Sequence, residues 1–220
     1  MKTLFNNLIY SPLSEGLVFI YENFGLEDLG LSIIILTIII RVILLPFFYK
    51  GAKNQTLMQK LQPDMEEIKK KHKDNKEEQA KALMALYKEN KLNPFSSFLV
   101  LLIQLPIFFG LFRIFQDIEA INAFSSHIFL GINLAEPSIL FAAIAAIFQY
   151  VQGRLSLSLT KSNNKNNSMQ AKIGKNMVYF APIISIVILV NLPSALALYW
   201  VFNALFSGVQ QIIINKRLKK

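Results

Sequence analysis

Apolar residues run from Leu29 to Phe48 in the stretch LGLSIIILTIIIRVILLPFFYK (29–50), interrupted by a single charge, Arg41. About twenty helical residues at about 1.5 Å each cross a hydrocarbon core of about 30 Å, so the pattern predicts a transmembrane helix, span 1, over 29–49. In residues 1–28, Leu13, Leu17, Ile20 or Tyr21, and Phe24 recur at helical spacing, with Glu15 and Glu22 elsewhere. That is a short amphipathic helix, lying in the membrane interface or packed on the helix bundle. Pro12, Ser14, Glu15 and Gly16 break up its apolar residues, so no cleavable signal is expected there. From 50 to 93 the composition turns to Lys, Glu and Gln. Leu57, Leu61, Met65 and Ile68, then Ala80, Leu83 and Tyr87, keep a helical period around the polar HKDNK at 72–76. An antiparallel hairpin of two amphipathic helices in water is the expectation, with Pro63 in a first turn or at a kink.

Asn93 and Pro94 open span 2 (94–115), which contains Gln104, Pro106, Gly110 and Arg113. A loop over 116–136 holds Asp117, Glu119, His127 and Glu136 but no Lys or Arg. Pro137 starts span 3 (137–155), a polar link covers 156–175, and span 4 (176–192) hands over through Asn191-Leu192-Pro193-Ser194 to span 5 (193–214) and a basic tail (215–220). The fold class is therefore an all-α membrane protein with five transmembrane helices, a cytoplasmic helical hairpin and an N-terminal interfacial helix.

Composition agrees: 53% of residues are hydrophobic, 17% are charged and the mean hydropathy is +0.41. The net charge of +9 raises nucleic acid as a partner, yet 20 of the 23 Lys and Arg residues fall in the hairpin, around the 156–175 link (Arg154 included) and in the tail, all on one side of the five spans. The positive-inside rule makes that side cytoplasmic and puts the N-terminus and the 116–136 loop outside. In the hairpin, acidic residues mix with the lysines and aromatics are nearly absent. It reads as a solvated helix pair, with docking on a ribosome or another cytosolic partner as the alternative. The chain has no cysteine, which removes disulfides, thiol nucleophiles and thiolate metal sites.

A guanidinium deep in a span costs about 2.5–3.5 kcal/mol on insertion scales and cannot lose its proton. No carboxylate lies mid-span to pair with Arg41. Snorkelling toward cytoplasmic headgroups is awkward, because side chains of a helix entering from outside tilt back toward its N-terminus. Water or an incoming ligand is then the expected partner, with Thr37, Gln104, Gln149, Gln152 and Asn203 either lining a hydrated cavity beside it or making helix-to-helix hydrogen bonds. Tyr199 and Trp200 fit an interfacial aromatic belt or the wall of that cavity. Arg113, four residues before Asp117, reads as a snorkelling or paired interfacial arginine. His72 and His127 stand on opposite sides of the membrane and cannot share a metal. With no paired acids in a span, no HExxH and no GxSxG, no catalytic residue, metal or cofactor is expected and the chain does not read as an enzyme.

Four segments, GLSIIILTIIIRVILLPF (30–47), LQPDMEEIKKK with ALMALYKENKLNPF in the hairpin, LLIQLPIFFGLF (101–112) and LPSALALYWVFN (192–203), resemble the YidC/Oxa/Alb family of membrane-protein insertases. The resemblance covers nearly the whole chain. It implies a hydrophilic groove within five helices, open to the cytoplasm and to lipid and closed outside. Arg41 matches its arginine, and Thr37, Gln104, Tyr199 and Trp200 match positions that line it or touch substrate. It further implies a short bacterial plasma-membrane insertase and chaperone that captures polar N-terminal tails of nascent membrane proteins without a nucleotide, alone or beside the Sec translocon. Ribosome contact is implied too, weakened here by a short basic tail, and Ala195 stands where many members have glycine. The competing readings are a small anion transporter or channel and an assembly chaperone with no translocation activity.

Overall fold

The computed structural model describes residues 2–93, 96–117, 124–159 and 169–218, and they are almost entirely helical. Pro94, Glu119, Lys161, Lys165, Lys219 and Lys220 of the sequence reading lie outside the described residues. The N-terminus forms α1 (Lys2–Phe5), a π-helical turn (Asn6–Tyr10) and α2 (Ser11–Asn23), which buries Leu13, Leu17, Ile20 and Tyr21. Helix α2 packs on the bundle through these residues. Its Tyr10 neighbour donates to Asp117 Oδ2 at 2.8 Å, and the Tyr21 hydroxyl accepts from the Ser125 N–H at 3.0 Å.

Helix α3 (Leu29–Ile43) begins where the Asp28 side chain accepts from the Leu31 N–H at 2.8 Å. It does not continue through residue 49. A second helix, α4 (Leu45–Lys60), leaves it at 63°, so the stretch expected as span 1 is a bent helix pair and α4 runs without a break from apolar into charged sequence. Pro46 accounts for the bend: it has no N–H to give the preceding turn and its ring collides with that turn. The ladder restarts from Leu44, whose carbonyl accepts from Phe47 and Phe48.

The polar region contains three helical pieces where two were expected, because a further break at Leu61, two residues before Pro63, separates α4 from α5 (Gln62–Lys71). Next comes α6 (Lys76–Glu89), capped by the Asn75 side chain, which accepts from the N–H groups of Glu77 and Glu78 at 3.1 Å each. Gln79 Nε2 bridges to Lys69 O and the Tyr87 hydroxyl reaches Met65 Sδ, so α5 and α6 lie side by side.

Helix α7 (Ser96–Gln116) follows. The 116–136 stretch, read as a loop, contains a small antiparallel hairpin, β1 (Ile128–Phe129) with β2 (Ile132–Asn133), pairing Ile128 with Asn133 and Phe129 with Ile132. Its turn places Leu130 and Gly131 at φ 50° and 80°. Three helices complete the chain: α8 (Ile139–Leu159), α9 (Met169–Leu189), which starts seven residues before the expected span 4, and α10 (Ser194–Leu218).

The hairpin region ties the starts of three helices together. The Phe129 ring lies over Gly30 of α3, while the first N–H groups of α10, on Ser194 and Ala195, donate to Glu136 O and Leu134 O just before α8. Farther along, Leu155 of α8 meets Gly208 of α10. Helices α3, α8 and α10 therefore run in one direction. Contacts of Gln104 with Tyr199 and of Gly153 with Val178 set α7 and α9 against them. Among the described residues, Ile139–Ser156 and Ser194–Ile214 are long and apolar enough to cross a membrane, and the bent α3–α4 pair makes a third candidate. Leu17, Ile33, Leu111, Ile114, Leu134 and Leu196 are fully buried in the core.

Candidate functional site

Arg41 lies in the last turn of α3, just before the bend, and only 4% of its surface is exposed. Its Nε–H donates to Asn203 Oδ1 at 2.6 Å and an Nη2–H donates to the Asn203 carbonyl at 3.1 Å. The Asn203 carbonyl also accepts from Ser207 Oγ one turn on in α10 at 2.8 Å. The guanidinium sits 4.3 Å from the centre of the Phe48 ring, supplied by α4, with Phe206 at 6.0 Å. Such faces attract a cation by about 0.5–2 kcal/mol, more as water is removed. Among the described residues Arg41 has no carboxylate partner. An amide and two aromatic rings surround the charge without neutralising it.

The other residues singled out in the sequence fall into separate environments. Gln104 of α7 donates through Nε2 to the Tyr199 hydroxyl, and Tyr199 is buried one turn before Asn203 on α10. Thr37 is buried one turn before Arg41, but its hydroxyl bonds back to Ile33 O at 2.6 Å, the local option that threonine has in a helix. Trp200, half-buried, meets Phe108 edge-on at 5.7 Å. Gln152 is half-buried on α8, and Gln149, a turn earlier, has a buried Oε1 with no hydrogen-bond partner. Thus one constellation joins α3 to α10 through Arg41 and Asn203, a second joins α7 to α10 through Gln104 and Tyr199, and among the described residues no hydrogen bond links Gln149 to either.

Two polar positions escaped the sequence reading. Ser207 and Gln210 continue the Tyr199–Asn203 face of α10 at helical spacing, and Gln210 has a buried Nε2 with no partner. The spacing alone would have found them. Phe48 and Phe206 were missed because a phenylalanine in an apolar run carries no sign of a cation at its face. At the other end of α7, exposed Arg113 donates to Asn6 Oδ1 at 2.6 Å and covers the Tyr10 ring, so it joins the N-terminal segment to the bundle.

Residues 19–220 match the family model described as 60Kd inner membrane protein. The chain belongs to that family, the YidC family. It is 37% identical over 211 residues to the Membrane protein insertase YidC of Fusobacterium nucleatum, covering 95% of this chain and 98% of that one. It is 33% identical over 218 residues to the Membrane protein insertase YidC 2 of Bacillus anthracis, covering 96% and 81%. The Membrane protein insertase MisCA of Bacillus subtilis is 34% identical over 210 residues, covering 93% and 76%. The family match takes in every helix from α3 onward and begins inside α2.

Proposed function

We propose that this YidC-family chain is a membrane-protein insertase and chaperone whose substrates are nascent membrane proteins, and that Arg41 is its contact for their polar N-terminal tails. The observation that carries the reading is a buried guanidinium with unspent donors. Of the five N–H groups of an arginine, two go to Asn203, and the rest have no protein acceptor among the described residues. A charged or polar tail entering beside Asn203 can take them, and its desolvation is offset by bonds to a fixed cation. The hydrophobic segment that follows then moves into lipid along α7 and α10. Burial of its apolar surface drives that step, and the membrane potential, about 2.3 kcal/mol per charge per 100 mV, aids an acidic tail. No covalent chemistry is involved.

In this reading α3–α4, α7, α8, α9 and α10 form five spans of a bacterial plasma-membrane protein around a hydrophilic groove. The N-terminus and the β1–β2 hairpin lie outside; α5, α6 and the basic tail lie in the cytoplasm, where a ribosome would dock, and the Sec translocon is a lateral partner. The groove is lined by Arg41, Gln104, Tyr199 and Asn203, with Thr37, Trp200, Gln149 and Gln152 on the helices that enclose it. An anion transporter would also use Arg41, and one experiment separates the readings. In cells depleted of their own insertase, wild type and Arg41→Lys should restore insertion of a single-span reporter with a short acidic N-tail, while equally expressed Arg41→Ala should not. Equal rescue by Arg41→Ala would remove Arg41 as the tail contact. No rescue by wild type would overturn the insertase reading.

A further inference from the structure

A cleft of about 820 Å³ opens beneath α2, between that helix, α3 and α7, on a different face of α3 from Arg41. Its lining includes Leu13, Gly16 and Phe19 from α2, Leu36 and Ile39 from α3, and Ile107 from α7; every lining residue is Leu, Ile, Phe, Pro or Gly. We propose that this cleft is a lipid site, holding an acyl chain of a bilayer phospholipid under the N-terminal helix.

Three observations select that occupant. The lining offers no polar side chain, so a polar ligand would lose its hydrogen bonds on entry. The cleft is open at its side, where Phe19 is 57% exposed, Ile39 42% and Ile43 67%, on helices that the sequence assigns to a membrane. It is also too small to enclose a transmembrane helix, which at about 10 Å across and about 30 Å long fills roughly 2,400 Å³, about three times the space. A void of this size left empty would forfeit the dispersion contacts of its walls, and an apolar cavity does not hold water.

Gly16 gives the means to close it. A Cβ there meets Leu36 Cδ1 at 3.9 Å, an ordinary contact, so a larger side chain grows into the cleft without striking backbone. The substitution also removes a glycine from a helix interior, which favours folding. The full chain would be reconstituted in phosphatidylcholine vesicles containing a phosphatidylcholine with a photoactivatable diazirine near the end of one acyl chain, and adducts mapped by peptide mass spectrometry. Wild type should label residues 35–43 several-fold more than Val187, an exposed residue of α9 in ordinary lipid contact. Gly16→Leu should bring labelling of 35–43 down to the Val187 level and leave Val187 unchanged, and Gly16→Ala should fall between. Equal labelling at the two places in wild type, or labelling of 35–43 that Gly16→Leu does not reduce, overturns the proposal. So does crosslinking of a photoreactive residue at Ile39 to a stalled nascent membrane protein instead of lipid.

Discussion

Removing Asn203 alone should hurt the protein more than removing Asn203 and the Arg41 charge together. In Asn203→Ala the Nη2 bond to the backbone carbonyl survives, but the Nε–H loses its 2.6 Å acceptor inside the bundle. A hydrogen bond to a charged group contributes about 1.5–3 kcal/mol, and a stranded buried donor costs at least as much as the lost bond. About 2 kcal/mol in a chain of this size corresponds to a fall of roughly 4–8 °C in Tm. Arg41→Leu removes the charge and its desolvation but strands the amide of Asn203. The double variant Arg41→Leu/Asn203→Leu replaces both partners with apolar groups, which for a buried pair is often neutral or stabilising. Thermal unfolding of wild type, Arg41→Leu, Asn203→Leu and the double variant in one detergent closes the cycle, with a coupling of about 1–3 kcal/mol expected for residues in direct contact. The double variant should also be inactive in the depletion-rescue insertion assay, which separates stability from function. A Tm of Asn203→Ala within a degree of wild type, or additive single effects, would show that the Arg41–Asn203 bond does not carry the charge in the membrane and would refute the reasoning.

Gly30→Ala should loosen the end of the bundle held by the β1–β2 hairpin, because its Cβ would strike two atoms of the Phe129 ring, and overpacking of this kind costs about 1–3 kcal/mol; limited proteolysis between residues 124 and 136 should accelerate, and unchanged cleavage would disprove the clamp. Asn75→Ala should cost about 1 kcal/mol through loss of the α6 cap, seen as faster amide exchange at Glu77 and Glu78 with insertion activity retained.

The helices and the central charge were legible because both are signals of composition at short range. An unbroken apolar run with one arginine announces Arg41, and its uncharged companions on other spans, Asn203 among them, could be named without knowing their geometry. What each companion does was not legible. Thr37 and Asn203 look alike as polar residues in apolar helices, but Thr37 can satisfy itself against Ile33 O while the Asn203 side chain extends to Arg41, a difference set by rotamer and neighbour. The bend at Leu44 was present only as Pro46. The β1–β2 hairpin left no pattern, since two-residue strands are too short for alternation and its turn uses Leu130-Gly131 in place of the usual Asn-Gly.

That hairpin nevertheless sets the height of the site. Phe129 fixes α3 at Gly30, and the carbonyls of Leu134 and Glu136 fix α10 at its first two residues, so both helices start from one anchor. Arg41 lies eleven residues beyond Gly30 and Asn203 nine beyond Ser194, or about 16 Å and about 14 Å along their helices. The two side chains therefore meet at similar depth in the bundle because of contacts made at its far end. A slip of one residue in α10 would turn Asn203 by about 100° around its helix and leave Arg41 facing an apolar neighbour, Phe202 or Ala204. The charge is placed by register, and register is a long-range property that no local reading of the apolar runs contains.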